Sequence, residues 1–238
     1  ADIMLLPSLQ TIRPTAVFVD GKLAAQNGKA VWAEDAHRAY ALEKVDTVRC
    51  EMASPEALRI KAPEGAGATA RTLVIAYEQG GFMGTHIEYR DLPVRGGFLD
   101  LRGQDGLMYA AVKNRHGAGG MALAVVKDLG LKSGALCASN AHDSHNLTCV
   151  FDDPADGAAA INRVMKGGWC LCAGGALEAE LALPIAGLMS PLPAEELAPR
   201  AKALMDALAR RGLSDSMRLS ALPLPVIPEV RLSDLGIV

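Results

Sequence analysis

With 238 residues and 24.9 kDa, the chain has room for one large domain or two small ones. Half of its residues are apolar, which excludes disorder, and a net charge of −3 with no concentrated run of one sign excludes a surface that tracks nucleic-acid phosphates. No apolar run approaches the roughly eighteen residues of a membrane helix, and Ala1-Asp2-Ile3-Met4-Leu5-Leu6-Pro7 has no basic region ahead of its apolar stretch, so a cytoplasmic protein without membrane contact is expected. Few aromatics, 24 Gly and 13 Pro predict aliphatic packing and many tight turns.

In chain order, Ala16-Val17-Phe18-Val19 runs into Asp20-Gly21, a hairpin signal. Lys22 to Gln26 then reaches a second turn at Asn27-Gly28, and Lys29-Ala30-Val31-Trp32 supplies a third short strand. Such strands have one face to bury and little of their own to bury it against. From Ala33 to about Val48 the sequence reads as a linker or a short surface helix. Leu58-Arg59-Ile60, Thr72 to Tyr77 and Thr85 to Tyr89 are short β-type runs set between Gly and Pro clusters, which predicts an antiparallel sheet with little helix.

After Asp100 the texture becomes mixed α/β. Leu107 to Val112 suits a buried strand or a helical turn, and Met121 to Val126, Gly134 to Ser139 and Asn146 to Phe151 suit buried strands. Asp152-Asp153-Pro154 supplies a cap and a first-turn proline for a helix from Ala155 to Met165, ended by Gly167-Gly168. Trp169 to Ala173 and Leu177 to Leu183 read as two strands of a hairpin about Gly174-Gly175. Leu197, Ala201, Leu204 and Leu208 repeat at helical spacing before Gly212, with Pro199 kinking that helix or marking its start. The proline-rich stretch Leu222 to Pro228 predicts an extended tail.

The five cysteines, Cys50, Cys137, Cys149, Cys170 and Cys172, are odd in number and mostly in apolar runs, as reduced core thiols are. Cys170-Leu171-Cys172 directs both sulfurs to one strand face but lacks the two-residue gap of the common redox and zinc motifs. His142-Asp143-Ser144-His145-Asn146 gathers imidazoles, a carboxylate, a hydroxyl and an amide at a strand end. Such a loop either binds a metal or a polar heterocycle, or forms a capped turn whose side chains satisfy neighbouring backbone. Arg115-His116 before Gly117-Ala118-Gly119-Gly120 offers a basic pair beside backbone amides, without a phosphate-loop ending. His37 and His86 read as surface and sheet residues. No His-x-His pair and no nucleophile elbow occurs, so no complete hydrolytic site is assembled.

The motifs Arg115-His116-Gly117, Leu129 to Ala135, Ala141 to Asn146 and Leu183-Pro184-Ile185-Ala186-Gly187-Leu188-Met189-Ser190, with Ala221-Leu222-Pro223 and Val226 to Glu229, resemble the C-terminal domain of bacterial adenine deaminases over roughly residues 45–238. The opening Ala1-Asp2-Ile3, Val17 to Lys22 and Asn27-Gly28-Lys29 resembles the segment that closes the small β-domain of amidohydrolase-superfamily enzymes. The resemblance implies a metal-dependent hydrolase converting adenine and water to hypoxanthine and ammonia. It implies a manganese or iron centre held mainly by a catalytic barrel whose motifs are absent from this sequence. The expectation is therefore a fragment, beginning at Ala1 rather than Met, that depends on a barrel in the same or a separate chain and is inactive alone.

Together these readings predict an α/β (α+β) fold with mixed sheets and a few packed helices, preceded by a β-hairpin segment. The expected organisation is residues 1–40 as terminal strands of a small β-domain and 45–238 as the deaminase-like domain. Candidate catalytic residues are His142, Asp143 and His145. Candidate substrate contacts are Arg115, His116, Ser144 and Asn146, and His142 and His145 are candidate metal ligands. A small-molecule purine and a homo-oligomer are the expected partners. The alternatives are a non-catalytic purine-binding or oligomerisation module, and an autonomous metalloenzyme using His142, Asp143 and His145.

Overall fold

A computed structural model describes residues 2–31, 45–78 and 83–238. The chain divides into two compact units, residues 1–40 and 41–238. In the first, β1 (Ile3–Leu5), β2 (Ala16–Val19), β3 (Lys22–Gln26) and β4 (Lys29–Ala30) form an antiparallel sheet in that order. The hairpin turns fall where they are predicted, with Asp20, Gly21, Asn27 and Gly28 all at positive φ. Strand β1, not anticipated from the sequence, pairs Ile3 with Phe18 and Leu5 with Ala16. Trp32 and the predicted linker up to residue 44, His37 included, lie outside the described residues.

In the second unit, a 3-10 turn (Glu56–Leu58) precedes β5 (Thr69–Tyr77), β6 (Thr85–Arg95), β7 (Phe98–Leu99), β8 (Leu107–Lys113), β9 (Met121–Lys127), β10 (Ala135–Ala138) and β11 (Leu147–Phe151). Helix α1 (Pro154–Val164), β12 (Gly168–Ala173), β13 (Ala176–Ala182), α2 (Ala194–Arg210), α3 (Met217–Ala221), β14 (Leu232–Ser233) and β15 (Gly236–Ile237) follow. The described residues build one nine-stranded sheet, ordered β13-β12-β10-β11-β8-β9-β5-β6-β7. Its pairings are antiparallel except β5 with β9. The α+β class is as read from the sequence, but the runs before and after Asp100 share this sheet instead of forming separate textures. No helix of the described residues is long and apolar enough to cross a membrane.

Both faces of the sheet are covered, so its central strands read as unbroken apolar runs. Met108, Ala110, Val112, Leu136, Val150 and Leu171 face one core with Leu204 and Leu208 of α2 and Leu219 of α3. The alternate residues Tyr109, Ala111, Cys137, Cys149, Phe151 and Cys170 face the other with Ala158, Ile161 and Val164 of α1. Helix α1 begins as expected, with the Asp153 carboxylate accepting from the Ala155 N–H at 2.7 Å and Pro154 in the first turn. The buried Asp156 carboxylate accepts from the N–H groups of Gly174 and Gly175 at 2.8 and 2.7 Å, fixing the β12–β13 turn against α1.

Three local readings need correction. Leu58-Arg59-Ile60 is not a strand: Leu58 closes the 3-10 turn and is fully buried, and only Lys61 bridges to Phe98. Pro199 does not begin α2, which starts at Ala194; the proline is exposed in the second turn of the helix, where its missing N–H removes one intrahelical bond. The tail from Leu222 is a succession of turns rather than extended chain, with Leu224 N–H bonded to Ala221 O and Ile227 N–H to Leu224 O, because proline's fixed φ suits the second position of a turn as well as an extended segment.

At the far side of the sheet, Glu88 receives Lys127, Arg90 and His86, and Asp100 receives Arg102 and Arg95. The Lys127 hydrogen bond, then those from Arg90 and His86, hold Glu88 at a pKa of about 2; Arg102 chiefly does the same for Asp100, also at about 2. Both values lie below the roughly 4 of an unfolded carboxyl, so the unfolded chain binds more protons in between. Their stabilisation is complete above that range and is lost as pH falls towards 2. The melting temperature is expected to drop between about pH 5 and pH 2, and Glu88→Gln to flatten that limb in a calorimetric pH series.

Candidate functional site

The register of the sheet brings the two polar motifs to one edge. Lys113 at the end of β8 pairs with Leu147 at the start of β11, and Ala138 at the end of β10 pairs with Thr148 and with Trp169 of β12. Residues 114–116, 139–146 and the start of β12 therefore emerge side by side. Asn146, buried, accepts the Arg115 N–H on Oδ1 at 3.3 Å. The His116 Nε2 donates to the Ser144 carbonyl at 2.8 Å, and the Asn146 N–H reaches Ser144 Oγ at 3.3 Å. Backbone bonds from His145 N–H to Ala141 O and from His142 N–H to Ser220 O pin the loop to the domain and to α3. His145 has φ +54°.

Beneath the loop lies Arg115, only 2% exposed. Its Nη2 donates to the Ala186 carbonyl at 2.9 Å, while its Nε and Nη1 have no hydrogen-bond partner. Burial of this charge lowers its pKa. The guanidinium lies against Gly187, where a Cβ would stand 2.2 Å from Nη1 and 3.2 Å from Ser139 Oγ; φ of +71° also favours glycine there. Ser139 ties three segments together. Its hydroxyl accepts the Gly168 N–H at 2.8 Å and donates to the Gly187 carbonyl at 2.6 Å. Residues 45–49 join the same assembly through Ala186 N–H to Val45 O and Arg49 N–H to Arg115 O.

Arg115, His116, Ser144 and Asn146 thus form one hydrogen-bonded group, and His142, Asp143 and His145 lie on the same loop. The side chains of His142 and Asp143 are 45% and 76% exposed, 4.0 Å apart, and open to a ligand. Burial, then the charge of Arg115, pushes the His145 pKa down, so this imidazole is neutral near pH 7 and retains both donor and acceptor capacity. His86 is remote, paired with Glu88 on β6. Among the described residues, no three His, Cys, Asp or Glu side chains gather into a set that could hold a metal ion. Among the described residues, the donors of this loop alone do not make up the set a resident divalent metal needs.

Sequence reasoning missed Ser139, Ala186 and Gly187 as parts of this site, as well as Asn140, whose buried Oδ1 has no partner. Ala186 and Gly187 do lie within the 183–190 motif, whereas the Ser139 bonds depend on a partner twenty-nine residues away, which no local pattern reveals.

Fold and site define an α+β domain with a polar loop cluster at one sheet edge, and comparison with known proteins specifies it further. Residues 83–238 match the adenine deaminase C-terminal domain, and the chain belongs to that family. It is 38% identical over its whole length to an adenine deaminase of Methylobacterium sp. (strain 4-46), covering 41% of that protein. It is 34% identical to adenine deaminase 2 of Carboxydothermus hydrogenoformans, again over its whole length and covering 42%. The chain spans about two fifths of the length of these curated relatives.

Arg115 and Ser139 are expected to behave oppositely in chemical denaturation. Ser139→Ala leaves the Gly168 N–H and Gly187 carbonyl unpaired, at a cost of about 1–3 kcal/mol. Arg115→Met removes a buried, incompletely paired charge and is expected to be neutral or stabilising.

Proposed function

We propose that the chain is the C-terminal portion of a metal-dependent adenine deaminase, which converts adenine and water to hypoxanthine and ammonia. The observation that supports this reading is that identity to adenine deaminases extends over the entire chain yet covers only two fifths of theirs. In this reading the divalent metal, manganese or iron, and the water it activates belong to the remaining portion, the catalytic barrel. The isolated chain then has no adenine turnover, and the intact enzyme works in the cytoplasm, where its five free thiols stay reduced.

The 142–146 loop, with Arg115 and His116, faces the barrel mouth and closes over the purine or supports the groups around the metal. The exposed imidazole of His142 and carboxylate of Asp143 and the neutral imidazole of His145 supply donors and acceptors that match a purine's ring nitrogens and exocyclic amine. Arg115 holds the loop from below through its backbone bond to Asn146 and contributes positive charge.

A second reading, a purine-binding or oligomerisation module, draws on the exposed apolar side chains of residues 2–31: Ile3, Met4, Leu5, Leu9 and Ile12 are each about half exposed or more. In the first reading these dock on the barrel; in the second, on another copy of the chain. Sedimentation of the chain with and without the barrel portion separates the two.

In the full-length enzyme, His142→Ala, Asp143→Ala and His145→Ala are each expected to lower kcat by about 10–100-fold. The melting temperature is expected to move by less than about 3 °C. Matching losses of turnover and stability would refute a role at the active site.

A further inference from the structure

Four of the five thiols lie in the core under α1, and their arrangement is not that of dispersed packing residues. Cys137 on β10 is directly paired in register with Cys149 on one side and Cys170 on the other. Cys170 and Cys172, two positions apart on β12, point to the same face with their sulfurs 3.4 Å apart, within hydrogen-bond reach. A register irregularity falls between Leu171 and Cys172, opposite β13, where the strand departs from regular pleating.

Both thiols are buried, and Cys170 borders an opening in the packing. Cys170 lines a cavity of about 440 Å³ between the end of α1 and the edge strand β13. Arg163, Lys166 and Glu180 line it too, and Arg163 is bonded to Glu180 through Nε at 2.8 Å. Neither a metal nor a structural disulfide accounts for the two sulfurs: no metal-holding set occurs among the described residues, and every cysteine is free. The hydrogen bond between them lowers the Cys172 pKa, with the Arg163 charge acting in the same sense, and that same bond and burial raise the Cys170 pKa. One sulfur is thereby biased towards thiolate beside a protonated neighbour.

We propose that Cys170 and Cys172 form an oxidisable dithiol, a modification site at which a small hydroperoxide entering through the cavity is reduced and an intrachain disulfide is formed. One thiolate attacks the nearer peroxide oxygen, the O–O bond breaks, and an alcohol or water leaves with a proton, giving a sulfenic acid. The second thiolate attacks that sulfur, the S–O bond breaks, and water leaves. In sum, two thiols and one hydroperoxide give one disulfide, one alcohol (or water) and one water, with two electrons passing from sulfur to oxygen. A thiol reductant reverses the modification.

Trypsin cleavage after Lys166 and Arg200 isolates both cysteines on one peptide that carries no other, whereas Cys137 and Cys149 share the peptide of residues 133–163. After exposure of the folded chain to hydrogen peroxide and alkylation of free thiols, mass spectrometry is expected to show peptide 167–200 unalkylated and about 2 Da lighter than its reduced form, restored by dithiothreitol. Cys170→Ala and Cys172→Ala should each abolish that species, leaving the remaining thiol alkylated or over-oxidised, while Cys137→Ala retains it. The wild-type mapping needs no variant to fold. A cross-link between peptides 133–163 and 167–200, or oxidation of Cys50 with peptide 167–200 fully alkylated, would overturn the proposal.

Discussion

Burial of both faces of one sheet is the constraint on which the second unit depends. A strand covered on one side alternates apolar and polar residues; here β8, β10, β11 and β12 are apolar at nearly every position, because α1 receives one set of side chains and α2 with α3 the other. Each fully buried aliphatic side chain contributes on the order of 1.5–3 kcal/mol, more than any single surface ion pair seen here can supply. Polar chemistry is consequently expelled to the strand ends. The loops that join β8 to β9 and β10 to β11 are where histidines, carboxylates and amides gather, and register makes those loops neighbours.

Buried polar atoms without a partner gather at that edge, although Arg231 Nε is a further one elsewhere in the domain. Several surface charges are by contrast paired within the chain: Arg163 with Glu180, Arg211 with Glu178, Arg102 and Arg95 with Asp100. Around the 139–146 loop, Arg115 leaves Nε and Nη1 without partners, Asn140 leaves its Oδ1, and Asp143 stands in solvent. A buried N–H without a partner costs about 1–3 kcal/mol, so the fold alone gives no reason to keep a guanidinium in that place. Sequence selected purely for packing would put a long apolar side chain there.

Much of the fold was legible because its signals are local. Asp20-Gly21, Asn27-Gly28 and Asp153-Pro154 each specify a turn or cap from two residues, and the structure places β2, β3 and α1 at those positions. The strands from β8 to β13 were legible from their apolar runs, although an apolar run does not state which strand lies beside it. Hence the union of β5 and β6 with the later strands, through one parallel pairing of Val74 with Val125, could not be read from the sequence. Leu58 was misassigned because one buried leucine in a short apolar triplet fits a 3-10 turn as well as a strand. The tail failed for a similar reason: proline restricts φ without choosing between an extended and a turned ψ.

The candidate site was legible as two motifs but not as one place. Nothing in Arg115-His116 or in His142-Asp143-Ser144-His145-Asn146 announces that the Arg115 N–H meets Asn146, or that the guanidinium lies against Gly187; both contacts join residues tens of positions apart. Gly187 carries the strongest geometric demand, since any side chain there would occupy the space of the guanidinium. That demand runs in one direction: the glycine is required by the arginine, and the arginine is not required by the core. A packing device and its beneficiary are thus distinguishable at a single contact, and the beneficiary is the charged group that the domain itself leaves incompletely used.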